Sequence, residues 1–433
     1  MKPCLKKTLL HTSVFFGVLI ILWTTLFIGA LIPNEALKDN FLKDTEYFYT
    51  VDAFERTDGE YQNAIQDNYA DTILLNIAWN MGVGNPFVSS FDTDFYVGEK
   101  QEQKDGLLDT VKDGQCANTD YTRYWHGSAG LIRFFHLFTD VEGIRIIGFA
   151  AVLILVAITA FVLIKNKHID IAVILFIGLI FVQIWNIRLS LEYQSAFVVA
   201  FILCPLYLWL ERKGDQFLTY LSVAGGAAVA FFDFLTTETV ALLLPLLFVV
   251  AVRAKEKRLG SLRSNLILLL KCAACWGVAY GATFLVKWTL ATVITGESAF
   301  LAALSSVGER LYGTAGSETW TFFEPIAANL TVLFFGRERV ELGRVAVGSV
   351  AFLGALFCIW FFLRSKKKDT TMKNAAISML VIGAVVFVRF LLLNNHSYLH
   401  EFFTYRALLV PIMALIFAAW FNIKKTFEKR RQK

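Results

Sequence analysis

Runs of about twenty apolar residues recur along this chain, and nothing else constrains its fold as strongly. A bilayer core of roughly 30 Å needs about 20 such residues as a helix, because each backbone polar group must be satisfied within the segment. Ten stretches qualify, at roughly 8–31, 143–164, 169–187, 193–210, 217–235, 238–252, 265–288, 344–363, 374–393 and 407–423. The third and sixth are short. The chain is 56% hydrophobic with 40 Phe against 7 Pro, and its mean hydropathy is +0.55. The expectation is an all-α polytopic membrane protein with about ten transmembrane helices.

Basic residues set the expected orientation. Lys2, Lys6 and Lys7 precede the first span, and Lys165 and Lys167 follow the second. Arg212 and Lys213, "RAKEKR" (253–258), "RSKKK" (364–368) and "KKTFEKRRQK" (424–433) mark further connectors on one side. Both termini are therefore expected in the cytoplasm of a multi-pass cell-membrane protein. The net charge of +5 then reads as topology and attraction to membrane lipids, and nucleic acid is not needed to explain it. The first span is too long for a cleavable signal and reads as an uncleaved anchor.

The layout divides into a first helix (1–31), a large external loop (32–142), helices two to seven (143–288), a second external segment (289–343), and helices eight to ten with a basic tail (344–433). The large loop has a helical pattern at 62–80, a Gly/Asn/Pro/Ser region at 81–94 and a charged stretch at 99–113. "AFLAALSSV" (299–307) and "ANLTVLFF" (328–335) are too short to span and suit re-entrant or interfacial helices. "CAAC" (272–275) lies inside a span and reads as helix packing; Cys116 is the one cysteine in an outward loop.

Charges at membrane depth are costly and mark function by default. Arg188, Glu192, Asp233, Glu238, Lys287 and Arg389 all fall near the outward ends of spans, level with "NNHSYLHEFFTYR" (394–406). The large loop adds Asp67 and Asp71, four apart and so on one helix face. "FDTDFY" (91–96) can present Asp92 and Asp94 to Mg²⁺ or Mn²⁺. "YTRYWHG" (121–127) groups Arg123, Tyr124, Trp125 and His126, where an arginine can hold phosphate and a tryptophan can stack on a sugar.

This layout, with "DNYADTILLNIAWN" (67–80), "YTRYWHG", "FFDFLTTETVALLLPL" (231–246) and "HSYLHEFFTYR" (396–406), resembles the GT-C glycosyltransferases, and within them bacterial members that decorate cell-wall polysaccharide. The resemblance implies a sugar donor carried on polyprenyl phosphate, a cell-surface glycan acceptor and an external active site. Inverting transfer needs a carboxylate base, here Asp67 or Asp71, with Glu46, Asp52 and Asp233 next. It also needs positive groups on the leaving phosphate. Arg389, His396, His400 and Arg406, joined by Arg123 and His126, are the expected donor set, and Trp125, Tyr124, Asp233 and Glu192 the sugar or acceptor contacts. No cofactor is required by this chemistry. Many family members carry an acidic pair directly after the first span; here Glu35, Asp39, Asp44 and Glu46 come first, with no two adjacent. A polysaccharide polymerase or ligase, and a multispan transporter, share the same gross layout.

Overall fold

The computed structural model describes residues 3–59, 61–99, 102–233, 235–296, 298–301, 303–304, 314–315, 318–336 and 370–431. The expected eighth span at 344–363 lies outside the described residues. The chain is mostly helical. In order come α1 (Pro3–Ala30), α2 (Lys38–Thr50), α3 (Asn68–Asn80), α4 (Pro86–Ser89), α5 (Gln103–Asp113), α6 (Ser128–His136), α7 (Val141–Lys165), α8 (Ile169–Phe181) and α9 (Glu192–Leu210). They are followed by α10 (Asp215–Phe232), α11 (Val240–Lys255), α12 (Leu262–Thr295), α13 (Glu324–Phe335), α14 (Thr370–Leu392), α15 (Asn394–Leu399), α16 (Glu401–Thr404) and α17 (Leu409–Arg431). Two small antiparallel pairs, β1 (Phe54–Arg56) with β2 (Ile65–Asp67) and β3 (Thr314–Ala315) with β4 (Glu318–Thr319), are the described strands.

Among the described residues six helical runs are long and apolar enough to cross a membrane: Lys6–Ala30, α7, α9, α12, α14 and Glu401–Trp420. Three other expected spans are helical but shorter. α8 has 13 residues and gives way to a 3-10 turn at Ile184–Leu189, after Gln183 takes a left-handed φ of 49°. α10 has 18 residues and α11 has 16. α11 is apolar all round, and every residue from Val240 to Val252 is buried. It packs on α8, α9, α10, α12, α14 and α17, so protein surrounds it and its length need not match a bilayer. α12 is longer than expected at 34 residues, about 51 Å at 1.5 Å per residue, and projects well past a 30 Å core.

Small residues set the closest helix approaches, as they do where lipid removes the hydrophobic drive between helices. A Cβ on Gly29 would meet Gly130 Cα at 2.5 Å, which fixes the crossing of α1 and α6. A Cβ on Gly226 would meet the Trp276 carbonyl oxygen at 2.3 Å, which fixes α10 against α12. Cys272 is buried and Cys275 partly buried on α12, both as free thiols.

The large loop, α6 included, folds onto α1, α10 and α12 as a layer with its own share of the core. The helix expected over 62–80 starts only at Asn68, because Ile65–Asp67 pairs with Phe54–Arg56 and Asp67 becomes the N-cap of α3. Arg133, 0% exposed, ties the layer to α1 by donating to Gly29 O (2.9 Å), Asn34 Oδ1 (2.8 Å) and Ala78 O (2.6 Å). His136 Nε2 and Asp44 Oδ2 lie 2.6 Å apart, and Asp44 Oδ1 accepts from Val141 N at 2.7 Å, so α2, α6 and α7 are joined by one buried carboxylate.

At the opposite end the basic connectors meet. Glu211 accepts from Arg253 (3.0 Å) and Arg258 (2.6 Å), Glu256 from Arg212 (2.7 Å), and Lys255 pairs with Asp170. One end of the molecule is thus an ion network and the other is the folded loop layer.

Candidate functional site

The first turn of α9 is where the polar groups of the loop layer converge. Asp71 holds it. Its Oδ1 accepts from Ser190 Oγ (2.7 Å) and Leu191 N (2.9 Å), and its Oδ2 accepts from Arg145 Nε (2.7 Å). Arg145 Nη2 also donates to Asn68 Oδ1 at 2.9 Å. With 0% exposure and both oxygens occupied, Asp71 is a buried strut between α3, α7 and α9, and has no room to take a proton from a substrate. Asp67 differs. Its Oδ1 caps Ala70 N at 2.9 Å, and its other oxygen has no hydrogen bond among the described residues. Burial, reinforced by the Asp71 charge and opposed by the Ala70 N–H and Arg145, pushes its carboxyl up to about 7.

Glu192 and Asp233 face a narrow cleft with Tyr124, Trp125, His126, Ser128, Ser195, Leu74 and Phe232. Four sequence positions expected to contact sugar, Tyr124, Trp125, Asp233 and Glu192, are therefore brought together. Local backbone explains how. His126 takes a left-handed φ of 47°, and Gly127 N donates to Phe231 O at 2.9 Å. A Cβ on Gly127 would sit 2.1 Å from the Phe231 ring, so only glycine lets this loop press against the end of α10. Asp233 accepts from Thr236 N at 3.0 Å and from the Thr236 hydroxyl, which fixes its carboxylate at the mouth of the turn.

Behind Trp125 lies a groove of about 580 Å³ between α1 and α12, lined by Phe16, Leu19, Ile20, Trp23, Phe87, Phe91, Trp125, Leu285, Val286, Thr289 and Leu290. Thr289 is its one polar residue. Trp125 belongs to both walls, 1% exposed and anchored by Nε1 donating to Thr283 O at 2.9 Å. A polar cleft and an apolar groove thus share a single indole.

Lys287 flanks this indole, and Arg123 lies by the cleft residue Tyr124. Lys287 is 0% exposed and donates to Phe91 O at 2.6 Å, with its ammonium 5.5 Å from the Trp125 ring centre. Arg123 is half-buried over Tyr121 (4.2 Å) and Tyr124 (5.4 Å), with no carboxylate partner among the described residues. Burial, then the charges of Lys287 and Arg123, hold the His126 imidazole well below its usual range, so it is neutral. Lys287 had a sequence signal as a cation inside a span, but nothing in the sequence joined it to Trp125.

The other cations expected on the donor phosphate are placed differently. Arg389 is consumed: it pairs with Glu238 (2.9 Å), donates to Ser397 Oγ (2.9 Å) and to the Leu235 carbonyl. His396 Nε2 lies 2.8 Å from the same carbonyl. Together they hold Leu235 at φ 62°, a strained left-handed conformation for a branched residue. His400 stacks on Phe403 at 5.3 Å. Arg406 is 1% exposed, lies over Tyr193 (4.7 Å) and Tyr405 (4.9 Å), and donates to Asn63 O at 3.2 Å. This connector is a buried clamp on α13, whose Asn329 bonds Ser397 O (2.8 Å) and Thr404 Oγ1 (2.7 Å). Arg389, Ser397 and Thr404 of this stretch are thus engaged by other elements, and Arg188 is exposed and does not line the cleft.

Asp92 and Asp94 line a separate pocket in the loop layer. Among the described residues no group of three His, Cys, Asp or Glu side chains is gathered as for a metal ion. No family model, curated protein or solved structure matches the chain.

Proposed function

We propose that this protein is an integral membrane glycosyltransferase that moves a hexosyl or N-acetylhexosaminyl unit from a polyprenyl-phosphate carrier to a cell-surface glycan, with inversion, on the outer face of the membrane. The observation that carries this reading is the single indole between an apolar groove and a two-carboxylate cleft. An isoprenoid tail suits the groove, and a sugar would meet the two carboxylates at the mouth of the cleft, whose interior is only about 10 Å³. The phosphate joining them would then lie beside Trp125, where Lys287 and Arg123 supply positive charge to the leaving group as its own charge grows. Lys287 makes one hydrogen bond to protein, which leaves the ammonium two further donors.

In this reading Glu192 takes the acceptor hydroxyl proton, and Asp233, pinned by Thr236, orients sugar hydroxyls. The base is thereby assigned away from Asp71, whose oxygens are used, and from Asp67, which does not line the cleft. Neutral His126 donates or accepts a hydrogen bond without adding charge. The test is transfer of radiolabelled sugar from synthetic polyprenyl-phosphate donors in liposomes. Glu192→Gln should lower turnover by about 10²–10⁴ with the melting temperature unchanged, while Asp67→Asn keeps most activity. Normal transfer by Glu192→Gln, or a loss confined to Asp67→Asn, would overturn the assignment. The absence of transfer from any lipid-linked donor would overturn the function.

A further inference from the structure

The Asp92 pocket has a chemistry of its own. It measures about 170 Å³, close to the liquid volume of six waters, and is set in the loop layer apart from the cleft. Trp79, Asn80, Asp92, Asp94 and Gln115 supply its polar wall, and Cys116 is at its rim. Trp79 is only 7% exposed, yet its indole N–H has no partner among the described residues. Asp92 uses one oxygen to accept from Asp94 N at 3.1 Å, and its other oxygen is unbonded among the described residues. Asn80 donates to Asn76 O (3.1 Å) and Asn76 Oδ1 (2.7 Å), which leaves its own Oδ1 to accept.

The wall thus offers N–H donors from the Trp79 indole and the Gln115 amide beside several acceptors, and no Lys, Arg or His lines it. An anion would meet two carboxylates with no cation in the wall to offset them. Among the described residues no third His, Cys, Asp or Glu side chain joins Asp92 and Asp94, and Asp94 Oδ1 also accepts from Tyr121 N at 3.0 Å. Neutral hydroxyls, which donate and accept at once, match such a wall.

The pocket also has a fixed relation to the groove. Phe87 and Phe91 of the segment 85–94 face the groove, whereas Asp92 and Asp94 of that segment face the pocket. Lys287 clamps the segment at Phe91 O. We propose that this pocket binds one neutral pyranose unit of the acceptor glycan, holding the chain one turn of backbone away from the lipid-linked donor. The word acceptor rests on the glycosyl-transfer reading; the saccharide site does not.

Cys116 is exposed and gives a direct readout. In the full-length protein in nanodiscs, N-acetylglucosamine or glucose should slow maleimide modification of Cys116 several-fold, while inorganic phosphate does not. Trp79→Phe, which keeps the ring and removes the N–H, and Asp92→Asn should each abolish the protection without moving the melting temperature. The proposal is overturned if neither sugar protects, if both variants stay protected, or if Mn²⁺ protects in place of sugar. Sugar protection without any transfer activity would leave this site standing and remove the function. Normal transfer with an unchanged acceptor KM in both variants would do the reverse.

Discussion

Asp67 and Asp71 are one helical turn apart and chemically unlike. Asp71 is neutralised by Arg145 and caps the start of α9, so its charge is part of the scaffold. Asp67 is buried to 4% exposure without an ion pair, and its carboxyl titrates at about 7 against 3.8 for the free group. Between about pH 4 and 7 the folded protein therefore holds a proton that the unfolded chain has lost. Stability falls as pH rises through that window and levels off above it. Asp67→Asn retains an oxygen for Ala70 N and removes the ionisation. Its melting temperature should match the parent near pH 4.5 and exceed it by several degrees at pH 8, with an upper bound of about 4 kcal/mol. Parallel profiles for parent and variant across that range would contradict the assignment.

Among the elements, α10 and α12 form the most intimate pair, and two glycines give opposite expectations there. Gly226 faces the Trp276 carbonyl, and an added Cβ would lie 2.3 Å from that oxygen; at Gly277 an added Cβ meets nothing within 4 Å. Gly226→Ala should cost about 1–3 kcal/mol through overpacking. Gly277→Ala should be neutral or stabilising by about 0.5–1 kcal/mol, because alanine loses less entropy in a helix. Thermal unfolding in detergent measures both, and equal shifts would show that the backbones do not approach as described. The same logic of enclosure explains α11. It is short for a bilayer because its neighbours, rather than lipid, surround it.

Taken whole, the molecule is two-ended. The ion network of Glu211, Glu256, Arg253 and Arg258 occupies one end, and the 32–140 layer with the cleft occupies the other. If the basic end faces the cytoplasm, native Cys116 reacts with an impermeant maleimide in intact cells. Lys213→Cys, placed in a Cys116→Ser background, should react only after permeabilisation. Labelling in the reverse order would invert the topology and put the cleft on the inner face.

Apolar run length and basic connectors alone determined the helical, membrane-type architecture, because the demand for internal hydrogen bonding and the burial of twenty apolar residues act locally along the chain. They also drew attention to Trp125, Glu192 and Asp233. Tertiary structure decided which charges face the cleft and which are struts. "NNHSYLHEFFTYR" carries as much ionisable chemistry as any stretch, yet Arg389 is spent on Glu238 and Arg406 is buried over Tyr193 and Tyr405. Arg145 and Arg133, which the sequence reading passed over, prove to be the braces of the loop layer. A charged residue's role depends on whether a partner from another element reaches it, and such partners lie dozens to hundreds of residues away: 74 for Arg145 and Asp71, 151 for Arg389 and Glu238. Periodicity records which face of an element is apolar, and only folding brings those faces together.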